Sequence, residues 1–543
     1  QRRAATKPSQ SGCLSLKGSR AAAHRRARVR WSANSSSDVQ AHFVADQGVV
    51  GVRSSGREMS GFMTTSETLT VFISVEEVLF RKGVDPKSPL EGAQYYPQNF
   101  GTPPMSSTTE SDPRSQAISG GMQMTLVAGF LGWMMDGYEQ AIFPLLASPA
   151  LKSMVPVDVL SAGPAAVNAW VGGWMGWITA AFLVGAAFGG AAFGWLGDRV
   201  GRIRAMSLSI LFYSIFSGVC YFAQDPLHLM GARFLAALGM GGEWALGVAL
   251  VMEAWPERHR SKMAAAIGMA ANLGMVLVGC VAIAYPASAD SWRIHFLIGA
   301  SPAIITLFIR FFVPESEKWK RASEKAAVEP PRSKFSEVFG GEFRRATWGA
   351  ILMVSVVFVG TWGAVQWIPL WITELAGPKF PQAKAYAMVI VSLGACVGTV
   401  LAPLCLARIP RRLGYQLLCL FACASTAWIY RTPASWDGQL LFEVFPAFLA
   451  LKIFVLGMTA TAFFGFMPLY LPELFPTRVR ATGQGICYNT GRLVAVPFVL
   501  LGGYLVNVLG GYQQAAAAIT LVYLVGLGIA YLGRETAGQA LQD

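Results

Sequence analysis

The feature that most constrains this chain is one charged pattern that occurs twice, 220 residues apart. Glu253–Arg260 and Glu473–Arg480 both read E-x-x-P-x-R-x-R, and each copy separates two long apolar stretches. Two hydrophobic halves that carry the same short charged loop are typical of a transporter built from repeats. The pattern therefore predicts a chain that crosses a membrane many times and moves a solute through it.

The composition favours lipid rather than water as the main solvent. Of the 543 residues, 53% are hydrophobic and only 14% are charged, whereas soluble domains carry about 25% charged residues. Much of the net charge of +13 lies in the first 30 residues and in short loops on one side of the apolar stretches. This placement indicates membrane topology and no nucleic-acid partner.

No motif in the sequence indicates a metal site, a cofactor site or an enzyme active site. The eight cysteines include no C-x-x-C pair, and the five histidines are scattered along the chain. Neither a zinc site nor a disulfide framework is indicated. The G-x-x-x-x-G-K-[ST] loop that binds nucleotide phosphates is also missing. We therefore expect a protein without cofactors that is not an enzyme.

Apolar windows long enough to cross about 30 Å of hydrocarbon recur from residue 122 onward. The windows are 122–146, 174–196, 206–223, 228–252, 263–285, 294–313, 347–372, 385–407, 415–430, 443–470, 482–507 and 512–532. We predict an all-α membrane protein with twelve transmembrane helices in two six-helix halves, 122–313 and 347–532. A charged central loop at 314–346 joins the halves, and a short tail follows at 533–543.

The distribution of Lys and Arg predicts the orientation. Loops after the even-numbered helices carry the basic residues, among them Arg199, Arg258, Arg408 and Arg478. Because basic loops stay on the cytoplasmic side, we expect the central loop and both termini to face the cytoplasm. The plasma membrane is the expected location, with an organellar membrane as the alternative.

Residues 1–121 differ from everything that follows. The region is rich in Ser, Thr, Gly and Pro, and we expect it to be largely disordered. Residues 1–37 hold many arginines and lysines with no acid. Three interpretations of that segment remain open: a transit peptide, a disordered tail or translated upstream sequence.

Several charged side chains fall inside the apolar windows. A charge at the bilayer centre costs about 2.5–3.5 kcal/mol on insertion scales, so each requires a partner or a function. Asp136 and Glu139 are three residues apart on one face of the first helix. Two buried carboxylates raise each other's proton affinity, as a proton carrier requires. The alternative is that Asp136 is permanently paired with a cation.

Arg492 and Asn489 lie three residues apart on the eleventh helix. The guanidinium fork of Arg492 suits a substrate carboxylate; alternatively, it pairs with the acids of the first helix during transport. Arg233 and Glu243 lie ten residues apart on the fourth helix, about 15 Å along its axis, and therefore cannot pair with each other. Arg233 and Lys452 occupy corresponding positions of the two halves, which favours a shared structural role, with pairing to the first-helix acids as one form of it. Glu243 is a candidate for proton handling.

Three neutral residues are candidates for the lining of a central cavity. These are Asn272, Gln366 and Trp367. The alternative for each is a helix–helix hydrogen bond or a ring that faces lipid.

The segment Gly194–Arg204 reads G-x-x-x-D-R-x-G-R-x-R and resembles the loop 2–3 motif of the major facilitator superfamily. The two E-x-x-P-x-R-x-R loops fit the same family, and the resemblance covers residues 122 to about 533. Asp136-Gly-Tyr-Glu139, Gly-Met-Gly-Gly-Glu-Trp and Tyr488-Asn-Thr-Gly-Arg492 resemble the metabolite:proton symporters of the sialate and lactate/pyruvate type. Pro314-Glu315-Ser316 is shared with sugar porters.

Acids, arginines and glycines at the cytoplasmic helix ends form a second set of candidates. They can pair across helices and hold the outward-facing state shut on its inner side. The set consists of Gly194, Asp198, Arg199, Gly201, Arg202, Glu253, Arg258, Arg260, Glu473, Arg478 and Arg480.

The resemblance and the buried charges together predict a secondary transporter. We expect proton-coupled symport of a small organic anion, a monocarboxylate or sialate-like acid, by alternating access. The partners would be the solute, the proton and the lipid bilayer, with the monomer as the functional unit. A sugar or neutral-metabolite porter is the alternative, and a non-transporting membrane sensor is a third possibility.

Overall fold

The structure is a computed structural model. The structure describes the backbone of four segments, 28–33, 38–45, 48–55 and 58–60, and of most of 119–541. Gaps lie within 303–311, at 329–333, 364 and 378, within 433–439, and at 442–444 and 540. Most of the candidate targeting segment 1–37 lies outside the described residues.

The N-terminal unit, residues 1–109, contains a four-stranded antiparallel sheet in the order β1-β2-β3-β4. The strands are β1 (Arg28–Ala33), β2 (Asp38–Ala45), β3 (Gly48–Ser55) and β4 (Glu58–Ser60). This sheet differs from the largely disordered region that the composition suggests. Its local basis is the valines of β2 and β3, which favour strands.

The second unit, residues 110–543, is helical. Its principal helices are α1 (Gly120–Lys152), α2 (Pro164–Val200), α3 (Arg202–Val219), α4 (Pro226–Ala254), α5 (Arg260–Ala284), α6 (Trp292–Gly299), α7 (Arg344–Gly363), α8 (Ala383–Leu406), α9 (Arg411–Arg431), α10 (Ala447–Ala460), α11 (Arg480–Leu500) and α12 (Tyr512–Ile519 with Val522–Ile529).

Shorter elements extend or connect these helices. Ile368–Ala376 continues α7, Phe463–Tyr470 continues α10 and Gly502–Leu509 continues α11. The connections hold the helices Val157–Ser161, Glu317–Val328 and Lys334–Phe339, and the strand pair β5 (Leu440–Leu441) and β6 (Phe445–Pro446).

Nine helical segments of the described residues are long and apolar enough to cross a membrane. The other three membrane helices are α1 and α11, which carry buried polar side chains, and α6, whose span runs into the gap within 303–311. The structure therefore has the predicted architecture of twelve helices in two sets of six.

The first two helices are longer than their apolar windows. Helix α1 begins after Ser119, whose side chain accepts a hydrogen bond from the backbone N–H of Met122 at 3.2 Å. Helix α2 ends at Gly201, whose φ of 110° is a conformation that favours glycine. Hydropathy detects only the lipid-crossing part of a helix, so the apolar windows do not include the capped helix ends.

Glycines allow the closest helix contacts. A methyl group on Gly189 of α2 would collide with the backbone of Leu238 in α4, and one on Gly241 of α4 with the backbone of Ala186. Such small residues let backbones approach and gain dispersion contacts. Between the halves, α2 packs against α11 and α5 against α8. The central site therefore lies between tightly packed helix pairs.

One end of the bundle carries the basic loops and is called the basic end below. It comprises the loops at 197–204, 254–262, 407–412 and 475–480. The buried charges of Asp136, Glu139, Arg233, Glu243 and Arg492 lie several helical turns away from it.

Candidate functional site

The ion pair of Glu139 and Arg233 joins α1 to α4 inside the first half. Arg233 Nη1 contacts Glu139 Oε1, and Arg233 Nη2 donates to the backbone carbonyl of Glu139 at 3.2 Å. Ser217 of α3 donates to Glu139 Oε2 at 2.7 Å. Both charged side chains are almost fully buried. Arg233 thus finds its partner on the first helix.

Aromatic rings enclose Arg233. Its guanidinium carbon lies 4.7 Å from the ring centre of Phe182, 5.6 Å from that of Phe296 and 5.7 Å from that of Phe143. Cation–π attraction adds to the ion pair at such distances. Three rings and one carboxylate therefore hold this cation away from lipid.

Asp136 and Glu243 are two further buried acids in the middle of the first half. Each side chain is 1% exposed. Asp136 Oδ1 and both carboxylate oxygens of Glu243 have no hydrogen-bond partner among the described residues. Neither acid forms an ion pair within that part of the chain, so the structure leaves Asp136 without the permanent cation considered above.

Arg492 and Asn489 lie on α11, opposite these acids. Arg492 Nη1 donates to Asn489 Oδ1 at 2.9 Å. Asn489 Nδ2 donates in turn to the carbonyls of Gly241 and Gly485, at 2.9 and 3.0 Å. Asn489 fits here because Gly190 of α2 has no side chain to collide with it. Asn489 therefore positions Arg492 through contacts with both halves.

A central cavity of about 60 Å³ separates the two halves. Apolar side chains, five of them aromatic, form most of its lining, and polar groups from both halves share it. The rings are Trp133, Phe358, Trp362, Phe464 and Tyr488, and the polar residues include Gln140, Asn272, Gln366, Ser392 and Thr461. A mostly apolar cavity between helices with a few polar groups is typical of a small-molecule site.

Of the three neutral candidates for this lining, two border the cavity. Asn272 does so while its Nδ2 donates to the carbonyl of Gly268 at 3.0 Å. Gln366 also borders it. Trp367 does not: its ring packs against Gly502 and, at 6.2 Å between ring centres, against Tyr512.

Arg492 lies one layer behind the cavity wall. Its guanidinium carbon is 5.3 Å from the ring centre of Tyr488 and 5.5 Å from that of Phe358, and both rings line the cavity. No carboxylate of the described residues forms an ion pair with Arg492. This cation therefore has an amide and two aromatic rings as neighbours where an acid would be expected.

At the basic end, Glu253 is the centre of a buried cluster. Arg202 of its own half and Arg480 of the other half donate to Glu253 Oε1 at 3.0 and 3.1 Å. Ser316 of the central loop donates to Oε2 at 2.6 Å. These side chains are fully or almost fully buried. The cluster closes this end of the bundle.

Glu473 is the centre of the corresponding cluster in the second half. Arg411 binds it through two nitrogens, at 2.9 and 3.0 Å. Arg260 of the first half reaches Glu473 Oε1 at 3.4 Å, and Thr536 donates to Oε2 at 2.6 Å. Each copy of the repeated pattern thus supplies an acid for its own half and an arginine for the other.

Asp198 ties the first half to the start of α11. It pairs with Arg202 at 2.6 Å. Its Oδ2 accepts hydrogen bonds from the backbone N–H and the hydroxyl of Thr482, at 2.8 and 2.6 Å. Gly194 lets α2 approach this helix end, because a methyl group there would lie 2.6 Å from the carbonyl oxygen of Ala481. An acid at a helix N-terminus is also favoured by the helix dipole.

The remaining gating candidates lie at the edge of these clusters. Arg199 stacks on Trp195 at 5.2 Å, and Arg478 forms an ion pair with Glu337 of the central loop. Gly201 makes room for the carboxylate of Glu315. Arg258 follows α4 at the same end and also has an interaction partner.

Two acids that the sequence analysis did not select cap the helices beside these clusters. Glu315 accepts hydrogen bonds from the backbone N–H groups of Arg202 and Ile203 at the start of α3, at 2.9 and 3.1 Å. Glu535 does the same for Arg411 and Arg412 at the start of α9, at 2.8 and 3.2 Å.

A sequence signal for these two acids exists. Glu315-Ser316 and Glu535-Thr536 are 220 residues apart, the same offset that separates Glu253 from Glu473. Ser217, by contrast, has no such signal, because its contact with Glu139 depends on how two helices are rotated.

The comparisons with known proteins agree with this arrangement. Residues 116–442 match the profile described as Major Facilitator Superfamily. A probable 4-methylmuconolactone transporter of Cupriavidus pinatubonensis is 30% identical over 424 residues, which cover 77% of this chain and 92% of that protein. The niacin transporter NiaP of Acinetobacter baylyi is 26% identical over 444 residues, 76% of this chain and 94% of that protein.

Solved structures share the fold. A structure of the proton:xylose symporter XylE from E. coli has a TM-score of 0.60 at 19% identity, covering 78% of this chain and 98% of that chain. At this identity the likeness concerns the fold alone.

Proposed function

The chain belongs to the major facilitator superfamily, and from this premise we propose that it carries a small organic acid across the membrane together with protons. Membership makes the chain a multi-pass membrane transporter of small molecules and not an enzyme. The acid, the proton and the direction of transport are the proposed part. The supporting evidence lies in the buried charges around the central cavity.

One observation carries the proposal for the substrate. Arg492 is buried directly behind Tyr488 and Phe358, two rings of the cavity wall, without an acid partner in the described residues. A buried cation without a counter-charge is unfavourable, so an anionic solute that reaches it gains a strong, bidentate contact. The solute is therefore a carboxylate.

The names of the relatives favour the same class of solute. Niacin is a pyridine carboxylic acid, and 4-methylmuconolactone carries a carboxymethyl group. Lactate, pyruvate and sialate share the carboxylate and stay within this class.

The acids of the first half support coupling to protons. Asp136, Glu139 and Glu243 are buried within two helices of the same half. Carboxyl groups in a low dielectric exchange protons when their surroundings change, as they do during alternating access. The solute and the proton would therefore bind to opposite halves of the same central region.

The clusters at the basic end support an alternating-access cycle. Glu253 and Glu473 hold the halves together there, so the cavity would fill from the opposite end. We place the basic end in the cytoplasm, as the distribution of Lys and Arg suggests. An epitope inserted in the central loop, reached by antibody only after permeabilisation, checks this orientation.

The test uses purified protein in liposomes that contain a pH-sensitive dye. Nicotinate, lactate, pyruvate, sialate, benzoate and glucose are added in turn, with protein-free vesicles to correct for weak acids that cross as neutral molecules. We expect at least one acid to acidify the lumen through the protein. Arg492→Gln should raise the KM for that acid at least tenfold, while Arg431→Gln at an exposed site should leave it unchanged.

Two outcomes would contradict the proposal. Transport of glucose without any acid would indicate a sugar porter, the alternative that Pro314-Glu315-Ser316 leaves open. Movement of an acid with no accompanying proton would remove the coupling and keep the substrate class.

A further inference from the structure

Two carboxyl groups of the first half form a buried acidic pair without a cation. Asp136 of α1 and Glu243 of α4 are each 1% exposed. Three of their four carboxylate oxygens, Asp136 Oδ1 and both oxygens of Glu243, have no hydrogen-bond partner in the described part of the chain. Glu139, by contrast, is bound by Arg233 and Ser217. The acids of this region therefore fall into one paired and one unpaired set.

A glycine allows the two unpaired carboxyl groups to approach each other. Gly132 lies one helical turn before Asp136, on the same face of α1. A methyl group at Gly132 would collide with Glu243 Oε1, so the carboxylate of Glu243 lies directly against α1. The charged groups that act on Asp136 are Glu243, Arg492 and Glu139.

An independent polar group points to the same space. Tyr213 of α3 is fully buried, and its hydroxyl has no partner among the described residues. The carboxyl groups of Glu243, Asp136 and Glu139 all act electrostatically on that hydroxyl. A phenol that can donate a hydrogen bond thus accompanies two carboxyl groups that lack one. Three helices contribute to this polar pocket.

The charges around the pocket do not neutralise it. Arg492 and Glu139 act on Asp136 from α11 and α1, but Arg492 forms no ion pair with it, and Arg233 is engaged by Glu139. Tyr488 of α11 is a neutral neighbour. Two carboxylates in such surroundings cannot both keep their charge without a cation. A proton bound between them removes the repulsion.

We infer that Asp136 and Glu243 form a carboxyl–carboxylate pair that binds the transported proton, separately from the Glu139–Arg233 ion pair. That this proton is transported rests on the proposed function, whereas the proton-binding site rests on the geometry alone. The proton adds to a carboxylate oxygen of the pair from water and returns to water on the other side. Glu139, bound by Arg233 and Ser217, holds α1 against α4.

Three aromatic rings connect this pair to the cavity. Trp244, the residue after Glu243, stacks on Tyr488 with ring centres 3.9 Å apart and planes 12° apart. Trp133, three residues before Asp136, meets both rings edge-on at 6.4 Å. Trp133 and Tyr488 line the cavity. A bound solute therefore touches the rings that cover the pair, which couples its binding to the access of water to the proton.

The first test needs no solute. Infrared spectra of the purified full-length protein in lipid are recorded over a pH series, and the C=O band of a protonated carboxyl group is followed. We expect a band in wild type that Glu243→Gln and Asp136→Asn each abolish and that Glu139→Gln leaves in place. A band that disappears only in Glu139→Gln would overturn the inference.

The second test separates exchange from proton-driven accumulation, with radiolabelled nicotinate and lactate as probes. Glu243→Gln should retain exchange at equal pH within about threefold of wild type and lose accumulation driven by a pH gradient at least tenfold. Glu243→Asp, which keeps the carboxyl group, should recover part of the accumulation. Retained exchange also shows that the variant is folded.

The outcomes distinguish this inference from the proposed function. If wild type accumulates an acid with protons and Glu243→Gln does so equally well, the pair is wrong and symport stands. If wild type moves no protons but shows the band that Glu243→Gln abolishes, the pair stands and the proposed coupling is wrong. Accumulation or a band shift that depends on Na⁺ at constant pH would overturn the proton assignment in favour of a metal ion.

Discussion

Glu253 and Glu473 hold equivalent positions at the basic end, one in each half, yet the arginines that bind them differ in how deeply they are buried. The partners of Glu253 have fully buried side chains. Those of Glu473, Arg411 and Arg260, are 4% and 11% exposed. The contact between the halves is also shorter at Glu253, 3.1 Å against 3.4 Å. The same pattern of residues therefore closes one side of the bundle more firmly than the other.

The difference between the two clusters is traced to one residue, Asp198. Asp198 lies four residues before Arg202 and binds both that arginine and the start of α11. The corresponding position four residues before Arg411 is Ala407, which contributes only a backbone carbonyl to the arginine, at 3.1 Å. The repeat has kept the geometry of the cluster and has lost one acid in the second half.

Removing the acid at the centre of each cluster gives the largest expected effect. Glu253→Gln leaves two fully buried arginines without their shared carboxylate, and we expect a loss of about 3–5 kcal/mol in unfolding free energy. Glu473→Gln, whose arginines are less deeply buried, should cost about 2 kcal/mol. Chemical denaturation in detergent micelles measures both. Equal losses would show that burial does not distinguish the clusters.

Breaking the contacts between the halves should have the next largest effect. Arg480→Gln removes the link to Glu253 and should shift the equilibrium towards opening at the basic end by about 2 kcal/mol, roughly thirtyfold. Arg260→Gln should shift it less, because that arginine is partly exposed and makes the longer contact. Alkylation rates of a cysteine introduced near this end report the opening. A larger shift for Arg260→Gln would reverse the comparison.

Restoring the missing acid should make the two sides more alike. Ala407→Asp places a carboxylate four residues before Arg411, as Asp198 is placed before Arg202. Because position 407 is half-buried, we expect a gain of at most about 1 kcal/mol. The same cysteine assay should show slower labelling, and Ala407→Asn provides the uncharged control. Faster labelling would mean that α5 does not accept an acid as α11 does.

The smallest effect concerns the cap of α9. Partial burial raises the pKa of Glu535, but hydrogen bonds from the backbone N–H groups of Arg411, Ala537 and Arg412 outweigh it, so its pKa lies below the usual value. A lowered pKa adds stability above the unfolded value of about 4.3, and this stability is lost as the pH falls through the folded value.

Glu535→Gln should therefore lower stability by about 0.5–1 kcal/mol at neutral pH. The difference from wild type should vanish at acidic pH. Thermal melts in detergent at several pH values measure it. A difference that persists at low pH would point to packing rather than charge.

The sequence predicts the fold better than the central site. Twelve apolar windows correspond to twelve helices because each helix must satisfy its own backbone within lipid. Helix ends are less accessible, since the capped, polar extensions of α1 and α2 carry no hydropathy signal. The sheet formed by β1 to β4 was also not predicted, because short alternating strands in a polar region give only a weak sequence signal for β-structure.

The buried acids illustrate what sequence spacing cannot supply. Spacing places Asp136 and Glu139 on one face, and it suggests a partner for Arg233 on the first helix. Which acid Arg233 contacts depends on the rotation of α1 against α4, and the structure selects Glu139. Trp367 was an equally reasonable candidate for the cavity as Gln366, but adjacent residues on a helical segment face different directions.

The exchange of arginines at the basic end has a consequence for the history of the chain. Arg480 serves Glu253 while Arg260 serves Glu473, so residue i of one half meets residue j of the other, and j meets i. This is the contact rule of an isologous interface between two identical subunits related by a twofold axis. An ancestral dimer of one six-helix chain would have made both contacts with a single gene. A fused chain would allow each side to diverge, and the difference between Asp198 and Ala407 is of this kind.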